Sequence, residues 1–282
     1  MPNQKAHQRL IRDQKAVTEA SENLFGAYWL SINRDIKNAV VKETNPESAK
    51  RIIIEYEWLG TMANSSYHYG IFFDNHLAGV TCFANLRGLA HAGYKKYIGE
   101  KYQDKGILLA RGACVHWAHE HAGSKLISES LKKIGELGYK YAIAYSDEEA
   151  GEIGTLYQAT NWHYLGKLKN NHYDLFYEDK LYMNDREIYF KYGTQNPDKV
   201  LDQLKGQSGF TMKKRVSKGR YIYLLGNKKE KRDMLSVLKD KILPYPKRSY
   251  AVEVSREKRT ETIGEGMGQY HDAAQISMFD NA

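Results

Sequence analysis

The run ILLARGACVHWAHEHAGS at residues 107–124, continued by KLISESLKKIGELG at 125–138, decides the fold of this chain. Ile107–Val115 is an apolar stretch of strand length. After His119–Ser124 the period turns helical, with Ile127, Leu131 and Ile134 on one face and Gly138 as the stop. Small residues at a strand-to-helix turn let the backbone approach an anion, and the helix N-terminus offers unpaired amides with a partial positive charge. His119, Ala122, Gly123 and Ser124 therefore form a candidate anion-binding turn. The other reading of Ser124 is a plain helix cap.

Downstream, Tyr139–Tyr145 reads as a strand, Gly154–Asn161 as a short helix and Trp162–Gly166 as a strand. Asp147 thus falls at a strand's carboxyl end, where open α/β sheets place ligands; it also suits a turn or cap. Tyr157, ten residues later, is either a core aromatic or a proton donor, since a phenol of pKa about 10 is protonated at neutral pH. Upstream, Tyr67–Phe73 and Leu77–Phe83 flank Asp74-Asn75 as a hairpin, and Arg51–Tyr56 is β-branched like a strand. Leu24–Val41 has helical spacing in its second half, broken by Asn45-Pro46. Strands alternating with helices after an early hairpin predict an α/β protein with a mixed central sheet flanked by helices.

The remaining chain divides by composition. Residues 1–22 read as a polar, partly helical arm and 23–170 as the core. Residues 171–248 form a basic, tyrosine-rich α+β extension with helices at Pro197–Leu204 and Lys228–Ile242. Residues 249–282, with six acids, three bases and few apolar residues, are expected to be disordered. With 42% hydrophobic and 27% charged residues, the chain of 282 has the makings of a real core. It carries no apolar run of the roughly 18–20 residues a membrane span needs, and the start MPNQKAHQRLIRDQK lacks the apolar centre of a secretory signal. Two cysteines, Cys82 and Cys114, both in apolar segments, argue against a disulfide framework and for a reducing cytoplasm.

A net charge of +8 favours polyanionic partners. Phe210–Arg232 holds nine Lys or Arg against the single acid Glu230. Lys213, Lys214, Arg215, Lys218 and Arg220 interleave with tyrosines, as suits phosphate contacts, or else form a solvated hairpin. The stretch His116–His121 invites a metal reading, but no third ligand cluster matches it, so none is expected. Near the end, Gln275-Ile276-Ser277-Met278-Phe279 resembles the bacterial sliding-clamp-binding peptide. In such a peptide Gln275, Met278 and Phe279 would supply an amide and two apolar anchors, and tethering would raise the local concentration at DNA.

The turn His119-x-x-Ala122-x-Ser124 resembles the coenzyme-gripping loop of the N-acetyltransferase (GNAT) superfamily, Gln/Arg-x-x-Gly-x-Gly/Ala, while departing from it at all three positions. Longer phrases sharpen the likeness. Glu55–Met62, Tyr69-Gly70-Ile71, Ala78-Gly79-Val80, Ala144–Asp147, Gly154–Trp162, Tyr164–Gly166, Lys218–Tyr223 and Pro244–Arg248 are similar, in that order, to phage adenine-modification (Mom-like) proteins. The resemblance implies a GNAT-like fold in the bacterial host cytoplasm, acting on double-stranded DNA. It would attach a small glycinamide-type group to adenine's exocyclic amine and so evade restriction.

The same resemblance implies a functional set of Arg111, Ser124, Asp147 and Tyr157, and acetyl-CoA or another acyl-CoA as cofactor. Glu57 and Trp58 would then line the substrate pocket. A duplex hides its bases, so flipping into an aromatic pocket is expected, with Trp58, Tyr67, Tyr69 and Trp162 as candidates. Two other functions fit the same residues: an ordinary N-acetyltransferase for a protein or small amine, and a DNA- or clamp-binding adaptor without chemistry.

Overall fold

The computed structural model describes residues 6–22, 28–86, 90–169, 172–205 and 207–247. The expected mixed central sheet flanked by helices is what the chain adopts. The polar arm is a helix, α1 (His7–Glu22), and a 3-10 turn at Tyr28–Ser31 follows the next described boundary. The helix expected before Val41 does not form. There the side chains of Asn33 and Asp35 accept from the backbone two residues on, at 3.0 Å each, and such local bonds compete with helix. The segment ends instead in a short edge strand, β1 (Val40–Glu43).

Arg51–Tyr56 is a correction. It is the second half of a helix, α2 (Pro46–Tyr56), not a strand. The pair read as a breaker is the start of that helix. Asn45 caps it by accepting from Ser48 N–H at 2.7 Å, and Pro46 occupies the first turn, where its missing N–H costs nothing. Ala49, Ile52, Ile53 and Tyr56 are buried at helical spacing while Ile54 is exposed, so the pattern was helical despite its β-branched residues. Cutting back the wholly buried Ile53 to Ala would cost about 2–5 kcal/mol.

The hairpin forms as expected. β2 (Tyr67–Phe73) and β3 (His76–Asn85) pair antiparallel, and Asp74 and Asn75 both take positive φ, 44° and 65°. That is the geometry whose twist suits a two-residue hairpin turn. Next come a helix, α3 (Ala90–Ile98), which the sequence pattern did not reveal, and then β4 (Gly106–Cys114), α4 (Ala122–Glu136) and β5 (Tyr141–Ser146). α5 (Thr155–Ala159) and β6 (His163–Lys167) complete the expected core.

The segment expected as an extension is divided between two places. β7 (Tyr173–Tyr177), β8 (Lys180–Met183) and β9 (Phe210–Lys214) make a separate sheet, packed with α6 (Asp185–Tyr192) and α7 (Pro197–Gln203) around Leu175, Ile188, Val200 and Leu204. β10 (Gly219–Leu224) instead enters the central sheet, whose order is β1-β2-β3-β4-β5-β10-β6. It runs antiparallel to both neighbours. Tyr221, wholly buried, joins the core on one face and Ile222, equally buried, the core on the other, as period-two alternation requires of a strand covered on both sides. α8 (Lys228–Leu238) then packs on the second face beside α3 through Met234 and Leu238. No helix among the described residues is long and apolar enough to cross a membrane.

Candidate active site

Among the described residues β4 and β5 are the only parallel neighbours in the central sheet, and their pairing covers just Gly106–Leu108 against Tyr141–Ile143. Beyond those residues each strand stays bonded only to its outer neighbour. Functional side chains can gather where two neighbouring strands cease to pair, because a crevice can open between them. Arg111 comes from this free stretch of β4, and Asp147 follows the end of β5.

Arg111 is tied down by backbone. Its Nε–H donates to Thr61 O at 2.9 Å and a terminal N–H to Ala110 O at 2.8 Å. It also lies 4.0 Å from Glu57 Oε2. Glu57, 8% exposed, sits just past α2 and accepts from Leu59 N–H at 2.9 Å. Burial raises its pKa, and Arg111 and the Leu59 bond pull the other way. An arginine in an apolar strand needs such partners. Trp58 is half-buried, 6.2 Å from the His7 ring.

Asp147 is buried and opens the turn that follows β5. Oδ1 accepts from Glu149 N–H at 3.1 Å, and Oδ2 lies 3.4 Å from Lys218 Nζ. Its carbonyl accepts the amides of Ala150 and Glu152, so the turn closes on itself. Glu152 joins the cluster from this turn. Burial first, then Glu57 and Asp147, raise its pKa to about 8, with Lys218 opposing. Three carboxylates and two cations thus act on one another in one place.

Tyr157 completes the group. Its ring lies 5.2 Å from Trp162 and 5.2 Å from Tyr221. Burial, then Glu152 and Glu57, push its phenol well above the ordinary range, so it remains protonated. Its position depends on Gly154, which starts the helix at φ 73°; a Cβ there would stand 2.5 Å from the Tyr221 ring. Trp162 is fully buried with its indole N–H unpartnered among the described residues.

The turn before α4 packs beside this group, since a Cβ on Gly123 would meet Leu156, the neighbour of Tyr157, at 3.2 Å. Ala122 is fully buried, and Ser124 Oγ donates to His121 O at 3.0 Å. His119 Nδ1 accepts from His121 N–H at 3.0 Å. The amides of Gly123 and Ser124 have no acceptor among the described residues. The turn therefore fits an anionic group in its free amides and helix end, although no arginine or lysine stands within residues 116–124.

The basic residues separate. Lys213 pairs with Asp179 at 2.9 Å, and Arg215 bridges Asp174 and Asp185 at 3.2 and 3.0 Å. Lys214 lies exposed on β9. Arg220 donates to the Tyr97 hydroxyl and covers its ring, while Lys218 belongs with Asp147. His116 contacts Glu19 and the Tyr56 hydroxyl, and no group of three or more metal-ligating side chains gathers among the described residues. Cys82 and Cys114 are free thiols. Of the rings expected to receive a flipped base, Tyr69 is buried core and Tyr67 half-buried. Gln275, Met278 and Phe279 lie outside the described residues.

Glu152 and the partnership of Lys218 with Asp147 escaped sequence reasoning. An acid five residues after Asp147 was visible, but nothing local says that the turn folds it back, or that a residue 71 positions on arrives beside it.

Comparison with known proteins gives one family match. The model of the Mom protein family matches residues 38–247. No curated protein matches the chain. Among solved structures, an IAA acetyltransferase from Bacillus cereus ATCC 14579 is 12% identical, with 66% of this chain and 99% of that one covered at a TM-score of 0.36. A GNAT family acetyltransferase from Elizabethkingia anophelis with acetyl-CoA bound is 11% identical, with 67% and 99% covered and a TM-score of 0.37. Spermidine N-acetyltransferase from Vibrio cholerae, in complex with CoA and spermine, is 8% identical, with 67% and 95% covered and a TM-score of 0.36.

Proposed function

The chain belongs to the Mom protein family, and from that premise we propose that it is a DNA-modifying transferase, placing an acyl-type group on the exocyclic amine of adenine. The observation that carries the reading is the cluster itself. Asp147, Glu152, Glu57, Arg111, Lys218 and Tyr157 interact where β4 and β5 cease to pair.

An exocyclic amine conjugated to a purine ring is a poor nucleophile, so positioning must supply much of the rate. In this reading Asp147, held on both oxygens, orients the amine and takes its proton. In the same reading Tyr157, kept protonated by burial and then by the acids near it, gives a proton to the departing group. Arg111 fixes the loop that bears Glu57 and supplies positive charge where negative charge develops. Glu152 is mostly protonated at neutral pH, so it donates rather than accepts there. An acyl-CoA, when bound, would bring the activated carbonyl. The amides of Gly123 and Ser124 at the start of α4 would hold its phosphates.

The test is nucleoside mass spectrometry on DNA from cells expressing the protein. A mass-shifted deoxyadenosine with wild type, lost with Asp147→Asn and with Tyr157→Phe, is the expected result. Unmodified deoxyadenosine from cells holding abundant, folded protein overturns the proposal.

A further inference from the structure

The small sheet and its helices expose aromatic rings that a domain of this size would ordinarily bury. Phe190 is 73% exposed, Tyr189 56% and Tyr182 48%. Tyr189 and Phe190 are neighbours on α6, with ring centroids 6.3 Å apart. Cations interleave with them. Arg186 stands over the Phe190 ring at 5.8 Å and Lys191 over the Tyr182 ring at 5.6 Å, and Lys180 precedes Tyr182 on β8. None of Lys180, Arg186 and Lys191 pairs with a carboxylate among the described residues. Glu178 lies exposed two residues before Lys180, and the other acids beside this face are engaged. Asp179 holds Lys213, Asp185 holds Arg215 and His172, and Glu187 closes the capping box of α6. This face thus presents flat apolar rings interleaved with three cations.

We propose that the β8–α6 face is a docking surface for a DNA strand with unstacked bases, its lysines and arginine on phosphates and Tyr182, Tyr189 and Phe190 under bases. The chemistry is that of single-strand recognition, in which ring stacking is sequence-tolerant and a basic surface follows the backbone. A protein partner would ask for rings in a pocket, with the cations paired to its acids. Here Arg186 and Lys191 instead lie against rings, leaving their charge for a polyanion. The inference rests on the DNA reading above, and the unit is tied to the site by the segment that leaves β9. The segment leaving β9 donates Val216 N–H to Glu149 at 3.1 Å and then delivers Lys218 to Asp147.

The experiment uses the full chain and fluorescence anisotropy with two labelled duplexes, one fully paired and one with an unpaired adenine. Tyr189→Ala with Phe190→Ala should weaken binding to the unpaired-adenine duplex by about tenfold, and weaken the paired duplex less. Lys180→Gln with Lys191→Gln should weaken both duplexes and flatten the dependence of affinity on salt. All these side chains are on the surface, so melting temperatures should match wild type. If wild type binds DNA and both variants bind equally well, the surface is not a DNA contact and the proposed function stands without it. Equal loss on the two duplexes after removal of the rings overturns the stacking. Failure of wild type to bind either duplex overturns this surface and the DNA reading together, and points the exposed rings toward a protein partner.

Discussion

Lys218 holds Asp147: the ammonium stands 3.4 Å from Oδ2 while Glu149 N–H donates to Oδ1 at 3.1 Å. The two residues come from the segment that enters β10 and from the turn that leaves β5, strands that lie side by side in the sheet. Inserting β10 into the sheet is therefore what assembles the charged half of the site.

Substitution at this pair should separate chemistry from folding. Asp147→Asn is expected to reduce modified nucleoside by about a hundredfold or more, in keeping with loss of a general base. Lys218→Gln should reduce it about tenfold, because Asp147 keeps its backbone bond and loses one restraint. Thermal melts should stay near wild type, and a variant that melts early would mark the pair as structural instead.

Glu152 should make stability depend on pH. Its folded pKa is raised to about 8, so between its ordinary value and 8 the folded state binds more protons than the unfolded one. Stability then falls as pH rises through that window, since the slope follows the difference in bound protons. Glu152→Gln removes the cost of charging the group. Its stability relative to wild type should improve by about 1–3 kcal/mol between pH 5 and pH 8, after discount for partial exposure. Urea melts at the two pH values check this, and parallel curves would show that Glu152 titrates normally.

Arg215 should matter for the fold of the small unit rather than for DNA. It bridges Asp174 and Asp185, which are 5% and 7% exposed. Removing it takes the guanidinium from two buried carboxylates, leaving Asp185 beside half-buried His172 and Asp174 still accepting from Asp185 N–H at 3.2 Å. Arg215→Ala should destabilise by about 2–4 kcal/mol, seen as an earlier melt, with DNA affinity of the folded protein changed less than twofold at fixed salt. A large affinity loss with an unchanged melt would move Arg215 to the DNA contacts.

Gly154→Ala should disturb the site through packing. The position has φ 73°, and the new methyl would stand 2.5 Å from the Tyr221 ring that flanks Tyr157. A cost of about 2 kcal/mol or more is expected from backbone strain and the displaced ring. Modification should fall along with stability. A variant as stable as wild type would mean that the ring has room to move.

Much of this protein was legible in its residue pattern. The hairpin at Asp74-Asn75, the β4–α4 junction and the strand that ends before Asp147 all declare themselves through period and turn chemistry. Where the reading failed, a local signal had two meanings. Asn45-Pro46 can stop one helix or start another, and Ile52-Ile53-Ile54 can be strand or buried helix. Helix α6 was announced by Asn184-x-x-Glu187, a capping box that went unread.

What the sequence determined by itself is whatever depends on near neighbours: element type, turn geometry, the small-residue start of α4, and membership of a family through ordered phrases. Only the tertiary structure decided which distant groups share a site. Lys218 and Glu152 reach Asp147, and Arg215 leaves the basic run to neutralise Asp174 and Asp185. The reason is that period and capping act over a few residues, whereas strand order is set by which apolar faces can be covered together. Here that condition drove Tyr221 and Ile222 into two cores at once and carried Lys218 with them.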